Sequence, residues 1–175
     1  MHSPVYTFGF EAAVQRAEAA GGRCLVPVVT VPEVGKFAVV QDPQGAIFSP
    51  FQMANPVPQP VAPGSGQFAW NELLATDLSA QRRFYESVCG WTSFETQVPN
   101  TGLYCLFKVG SQDVAGSLPK PPDAPGPSSW LTYIYAEDLD ARAAKAQSLG
   151  AMMCVAPQDI PGIGRFSVHA DPVGA

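Results

Sequence analysis

The sequence predicts an α+β protein assembled from repeated βαβββ units, and three observations carry that reading. Proline makes up 18 of the 175 residues, about twice its usual share of roughly 5%, and two clusters of it cut the chain into three. The first of the resulting segments lies on the third without a gap when shifted by 129 positions. Strand-like runs and capped helices then alternate in one order in each segment.

The first proline cluster is Pro56-Val57-Pro58-Gln59-Pro60-Val61-Ala62-Pro63-Gly64, and the second is Pro119-Lys120-Pro121-Pro122-Asp123-Ala124-Pro125-Gly126-Pro127. Neither can carry a helix or a central strand, because proline lacks the N–H and fixes φ. The expected organisation is a half-domain at 1–54, a linker at 55–65, and a larger domain at 66–175. That domain holds two units, 66–118 and 128–175.

The shift of 129 brings Tyr6 onto Tyr135, Ala12 onto Ala141, Ala17 onto Ala146 and Gly21 onto Gly150. It also brings Val26 onto Val155, Pro32 onto Pro161, Gly35 onto Gly164 and Phe37 onto Phe166. Asp42-Pro43 meets Asp171-Pro172, and Gly45-Ala46 meets Gly174-Ala175. An ungapped match of this length marks a duplicated supersecondary unit.

In the third segment, Trp130 to Tyr135 is aromatic and β-branched and predicts a strand. Asp138 predicts an N-cap, Leu139 to Leu149 an alanine-rich helix, and Gly150 its C′ residue. Strands are expected at Ala151 to Ala156 and Gly164 to Ala170, followed by a tight turn at Asp171 to Gly174. Asp42 and Asp171 read as turn residues, and Gly45 and Gly174 as positions that need positive φ. The middle segment repeats the order. A strand is expected at Phe68 to Leu74, a helix from Asp77 to about Val88, then strands from Gly90, at Gly102 to Val109 and at Asp113 to Leu118. In the first segment, strands are expected at Cys24 to Val29 and Phe37 to Val40, with the last strand at Ala46 to Gln52.

Composition excludes some classes of function. Charged residues make up 14% of the chain, against about 25% in an average globular protein, which suggests much surface buried in contacts. The net charge is −5 and there is no basic stripe, so nucleic acid is not an expected partner. No apolar run approaches the roughly 18 residues of a membrane span, and the first residues lack the pattern of a secretion signal. Cys24, Cys89, Cys105 and Cys154 follow no CxxC spacing and read as buried, reduced thiols. A cytoplasmic location is expected.

A strand running into a capping Asp (Asn71-Glu72-Leu73-Leu74-Ala75-Thr76-Asp77), then Phe84-Tyr85-Glu86, then Gly90-Trp91, resembles the opening of a vicinal-oxygen-chelate protein. The later Asp-Pro-x-Gly-Ala turns add to the likeness. The superfamily includes glyoxalases, bleomycin-resistance proteins and dihydroxybiphenyl dioxygenases, and the resemblance is greatest to its tandem glyoxalase-like branch. It implies that paired units form a curved mixed sheet, an eight-stranded cup. Segment one would then be the unpaired C-terminal half of a first cup. Segments two and three would form a second cup whose last strand is missing.

The resemblance also implies a divalent metal, held by His or Glu on first strands and Glu on last strands. The matching positions here are Trp70, Leu131 and Ser49, and Val114-Ala115-Gly116-Ser117-Leu118 supplies no ligand. His2, opposite Leu131 in the repeat, lacks partners. No metal, cofactor or catalytic residue is therefore assigned. The candidate ligand-binding residues are Trp70, Glu72, Tyr104, Leu131 and Tyr133. Glu72 shares a strand face with Trp70 and reads either as a polar anchor or general base, or as a satisfied structural carboxylate. Leu131, Tyr133 and Tyr135 share one face of their strand, with Trp130 on the other. His169 reads as solvent-facing or satisfied in the core.

Three functions compete. The first is a metal-free protein that binds a small apolar or aromatic molecule. The second is a metal-dependent lyase or dioxygenase. The third is a fragment of a longer tandem protein without activity of its own. The first is expected, in a homodimer whose subunits complete one another through segment one and the open strand edge of segment three.

Overall fold

The computed structural model describes residues 10–55, 62–99 and 101–174. Tyr6, His2, residues 56–61 of the first proline cluster and Ala175 lie outside them. Segment one contains α1 (Phe10–Ala19), β1 (Arg23–Val31), β2 (Gly35–Gln41), β3 (Ile47–Phe48) and β4 (Phe51–Met53). Segment two contains β5 (Phe68–Ala75), α2 (Leu78–Cys89), β6 (Thr92–Val98), β7 (Gly102–Val109) and β8 (Gln112–Pro119). Segment three contains β9 (Ser129–Ile134), α3 (Leu139–Ser148), β10 (Met152–Ile160) and β11 (Gly164–Ala170).

The expected caps close their helices. Asp77 accepts from the Ala80 N–H at 2.9 Å, and Asp138 accepts from the Ala141 N–H at 3.0 Å. Leu78, Gln81, Phe84, Tyr85 and Val88 form the buried stripe of α2, at the spacing of one helix face. The last strand of segment one differs from expectation. It is broken into β3 and β4, which pair with opposite ends of β2. Pro50 stands at the break and has no N–H to donate, while the Ser49 hydroxyl donates to the Ala38 carbonyl at 2.7 Å.

The shift of 129 relates α1 to α3, β1 to β10 and β2 to β11 with identical bounds. It relates their irregularities as well. The β1–β2 register slips between Cys24 and Val26 and again between Val26 and Val29, and β10–β11 slips between Met153 and Val155 and between Val155 and Gln158. Even an ion pair recurs, with Lys36–Glu11 in one copy and Arg165–Asp140 in the other.

The five-stranded sheet has the order β6-β7-β8-β5-β9. Strand β5 runs parallel to β8 and antiparallel to β9, so the first strand of segment three joins segments two and three. Strands β10 and β11 pair with each other. Among the described residues the sheet of segment one pairs with neither of the others, yet segment one does not stand alone. Ala17, Val40 and Ala46 share the main core with Leu73, Phe84, Tyr85, Val88 and Phe107 of segment two, and the Arg16 guanidinium donates to the Val88 carbonyl at 2.8 Å. The apolar stripes of α1 and α2 need cover, and each helps to cover the other. Tyr85 sits at the centre of this core, with Phe48, Phe84, Phe107 and Trp130 edge-on around it and Trp91 stacked on it.

Candidate functional site

Alternation along the strands divides the five-stranded sheet into two faces. Leu73, Cys105, Phe107 and Ala115 enter the core under α2, and Trp130, paired with Leu73, turns the same way. Trp70, Glu72, Tyr104, Gly116, Leu131 and Tyr133 turn to the opposite face, where Trp70, Glu72, Leu131 and Tyr133 are partly buried. All five residues singled out in the sequence thus share one face of one sheet.

Four of them are joined by hydrogen bonds that converge on Glu72. The Tyr104 hydroxyl donates to its Oε2 at 2.8 Å, and the Tyr133 hydroxyl donates to its Oε1 at 2.8 Å. The Trp70 indole N–H, which can only donate, reaches the Tyr104 oxygen at 2.9 Å. That bond fixes the direction of the chain, from Trp70 to Tyr104 to Glu72. Leu131 lies beside Glu72 in the register, and Tyr133 lies beside Trp70. Phe166 of β11 stands edge-on to Tyr133 with ring centroids 6.2 Å apart. Burial raises the Tyr104 and Tyr133 phenols above their ordinary range, and the neighbouring Glu72 charge raises them further. They are donors here, not bases.

Gly116 is part of the site and was not singled out in the sequence. It pairs with Glu72 on one side and Leu106 on the other, so Tyr104 must cross it to reach Glu72. A Cβ on Gly116 would stand 1.8 Å from the Tyr104 oxygen. A glycine inside a strand is a signal of close approach, but the sequence does not say by what.

Other candidates fall elsewhere. Tyr135 is 42% exposed beyond the end of β9. The His169 Nε2 lies 3.0 Å from the Ser167 hydroxyl, and its buried Nδ1 has no hydrogen-bond partner among the described residues. Of the four thiols Cys105 is buried, Cys24 and Cys89 are half-buried and Cys154 is exposed, which corrects the expectation that all four are buried. Burial pushes the Cys89 thiol up to about 12, far from a nucleophile's range. Asp42, a turn residue in the sequence, is buried and tied to Gln81 and Tyr85. Two cavities, of about 340 and 400 Å³, lie around Gln44 and Arg83 and around Asn71 and Trp130. Neither of these two is lined by Glu72. The convergence of polar groups marks the site out.

A divalent metal with open coordination positions needs about three protein ligands. The only carboxylate in this cluster is Glu72, and each of its oxygens already accepts a hydroxyl. Trp70 and Leu131 offer no ligand atom. Among the described residues, no three His, Cys, Asp or Glu side chains converge as a metal would require. These donors do not fit the metal of the resembled superfamily. Among the described residues, no helix is long and apolar enough to cross a membrane.

No family model matches the chain. It is similar in fold to the Mn(II)-bound glyoxalase from Novosphingobium aromaticivorans, with a TM-score of 0.57 and 17% identity over 94% of this chain and 56% of that one. It is 32% identical over 165 residues to CFP32 of Mycobacterium bovis and Mycobacterium tuberculosis, a protein named as a candidate glyoxylase. The chain has the glyoxalase, or vicinal-oxygen-chelate, fold, and its sequence is similar to that of a protein named as a glyoxylase. A second relative in sequence is the anthracycline biosynthesis protein DnrV of Streptomyces peucetius, 32% identical over 127 residues, which are 65% of this chain and 46% of that protein. The CFP32 match takes in 94% of the chain but 63% of CFP32. The chain thus spans about three fifths of the length of CFP32 and less than half of that of DnrV.

Proposed function

We propose that this chain binds a small, mainly apolar or aromatic molecule on the Glu72 face of its five-stranded sheet, without a metal. The observation that supports this is Glu72 held between Tyr104 and Tyr133, with Trp70 behind it, on the sheet face opposite the core. Specific small-molecule sites combine an apolar, aromatic lining with a few fixed polar groups, and this cluster has both. Titration with a panel of planar aromatic compounds should quench tryptophan emission, and Trp70→Phe should remove most of that change. A panel that leaves emission and calorimetry unmoved overturns the proposal. So does one equivalent of tightly held metal bound by residues of this face.

The likeness to DnrV favours a second reading, an enzyme of small-molecule biosynthesis in which Glu72 takes a proton from a bound aromatic substrate. Turnover of a bound compound that is lost in Glu72→Gln would replace the first reading with the second.

The working unit we propose is a homodimer. Leu25, Val26, Val28 and Val29 on β1 are each more than a third exposed, a row of apolar surface of the kind that subunits cover. Light scattering during size exclusion should give about twice the 18.5 kDa of one chain. A stable monomer at micromolar concentration refutes it.

A further inference from the structure

Resting on the binding role proposed above, we infer that the ligand presents a cationic amine to Glu72. The carboxylate is partly buried, and its two partners are neutral phenols. No ion pair among the described residues includes it. A partly desolvated carboxylate is costly to hold without a positive partner, and none of the ion pairs among the described residues supplies one.

The contrast with Asp42 sharpens the point. Asp42 is 3% exposed, and four donors fill its oxygens: the Gln44 and Ala46 N–H groups, the Gln81 amide and the Tyr85 hydroxyl. An ionised carboxylate has about four acceptor sites, so Asp42 is complete within the fold. Glu72 has two donors and remains accessible, so about half of its acceptor capacity is left for a ligand. An ammonium group would supply both the missing charge and the missing hydrogen bonds. Trp70, Tyr104 and Tyr133 bring aromatic rings to the position, and aromatic faces attract cations while their apolar surface takes the rest of the molecule. A carboxylate ligand would meet like charge here, in a chain of net charge −5.

Calorimetric titration of the full chain with naphthylmethylamine, naphthylmethanol and naphthoate at neutral pH and low salt tests the inference. The three share one ring system and differ in the charge of the substituent. The amine should bind about tenfold more tightly than the alcohol, and naphthoate most weakly. In Glu72→Gln the ratio of amine to alcohol affinity should fall to about one. The ratio is taken within a single protein, so a general loss of binding does not imitate it. If Glu72→Gln does not fold by circular dichroism, the wild-type ratio at high salt serves instead, where screening should shrink it. Equal affinity for amine and alcohol, or an advantage that salt leaves unchanged, overturns the inference while leaving the binding role intact. Failure of all three compounds to bind overturns both.

Discussion

At the scale of single residues, the candidate site depends on an absence. Gly116 has no side chain, and the Tyr104 phenol occupies the space where one would begin. Gly116→Ala should push Tyr104 off Glu72 and destabilise the fold by about 2 kcal/mol, as overpacking does. Urea unfolding measures the cost, and retention of wild-type stability would show that Tyr104 can move aside freely. The phenols themselves give a pH prediction. Tyr85, Tyr104 and Tyr133 are raised above the ordinary range by burial and by nearby carboxylates. A raised folded-state value means that their contribution to stability is complete below about pH 10 and is lost as pH climbs beyond it. Phenolate absorbance should therefore show these three of the five tyrosines resisting ionisation until the chain unfolds in alkali. A smooth native titration of all five near the ordinary value would contradict the burial described here.

At the scale of elements, the sequence was legible wherever the determinants are local. Asp77 and Asp138 announced the starts of α2 and α3 because a capping carboxylate acts within its own first turn. Gly164 to Ala170 and Gly102 to Val109 were legible as strands with the bounds they have in the structure. Pairing was less legible. Strand β8 lies between β5 and β7, and nothing in Asp113 to Leu118 states that order. The approach of Tyr104 to Glu72 across Gly116 was hidden for the same reason, although both residues had been singled out separately. The packing of α1 on α2 also depends on partners distant in sequence, so the sequence pointed segment one toward a second subunit and not toward segment two. The caps can be tested directly. Asp138→Ala removes the bond to the Ala141 N–H and should cost about 1 kcal/mol, read from chemical denaturation. An unchanged midpoint would mean that packing against β10 and β11 alone holds α3.

At the scale of the whole molecule, one short chain of polar groups ties the three segments together. Asp42 belongs to segment one, Gln81 and Tyr85 to segment two, and Trp130, whose indole N–H donates to the Tyr85 oxygen at 2.9 Å, to segment three. Replacing Asp42 by Asn turns an acceptor into a donor that faces other donors, at a cost of about 3 kcal/mol. Its counterpart in the repeat, Asp171, is exposed, so Asp171→Asn should cost about 0.5 kcal/mol or less. Thermal denaturation of the two variants side by side checks the contrast. Equal shifts would mean that the duplicated turns carry equal structural weight and that the link between segments is idle.

The matched slips in β1–β2 and β10–β11 bear on ancestry. Any half-buried strand alternates, so two unrelated hairpins can come to look alike while regular. Two defects in the same places are closer to a copied misprint than to a shared style. The hairpin was already bent when it was duplicated, and later divergence worked around the bends. The ion pairs Lys36–Glu11 and Arg165–Asp140 differ in residue type, while both hairpins keep the same two slips. The irregular positions are thus the oldest legible text in this chain.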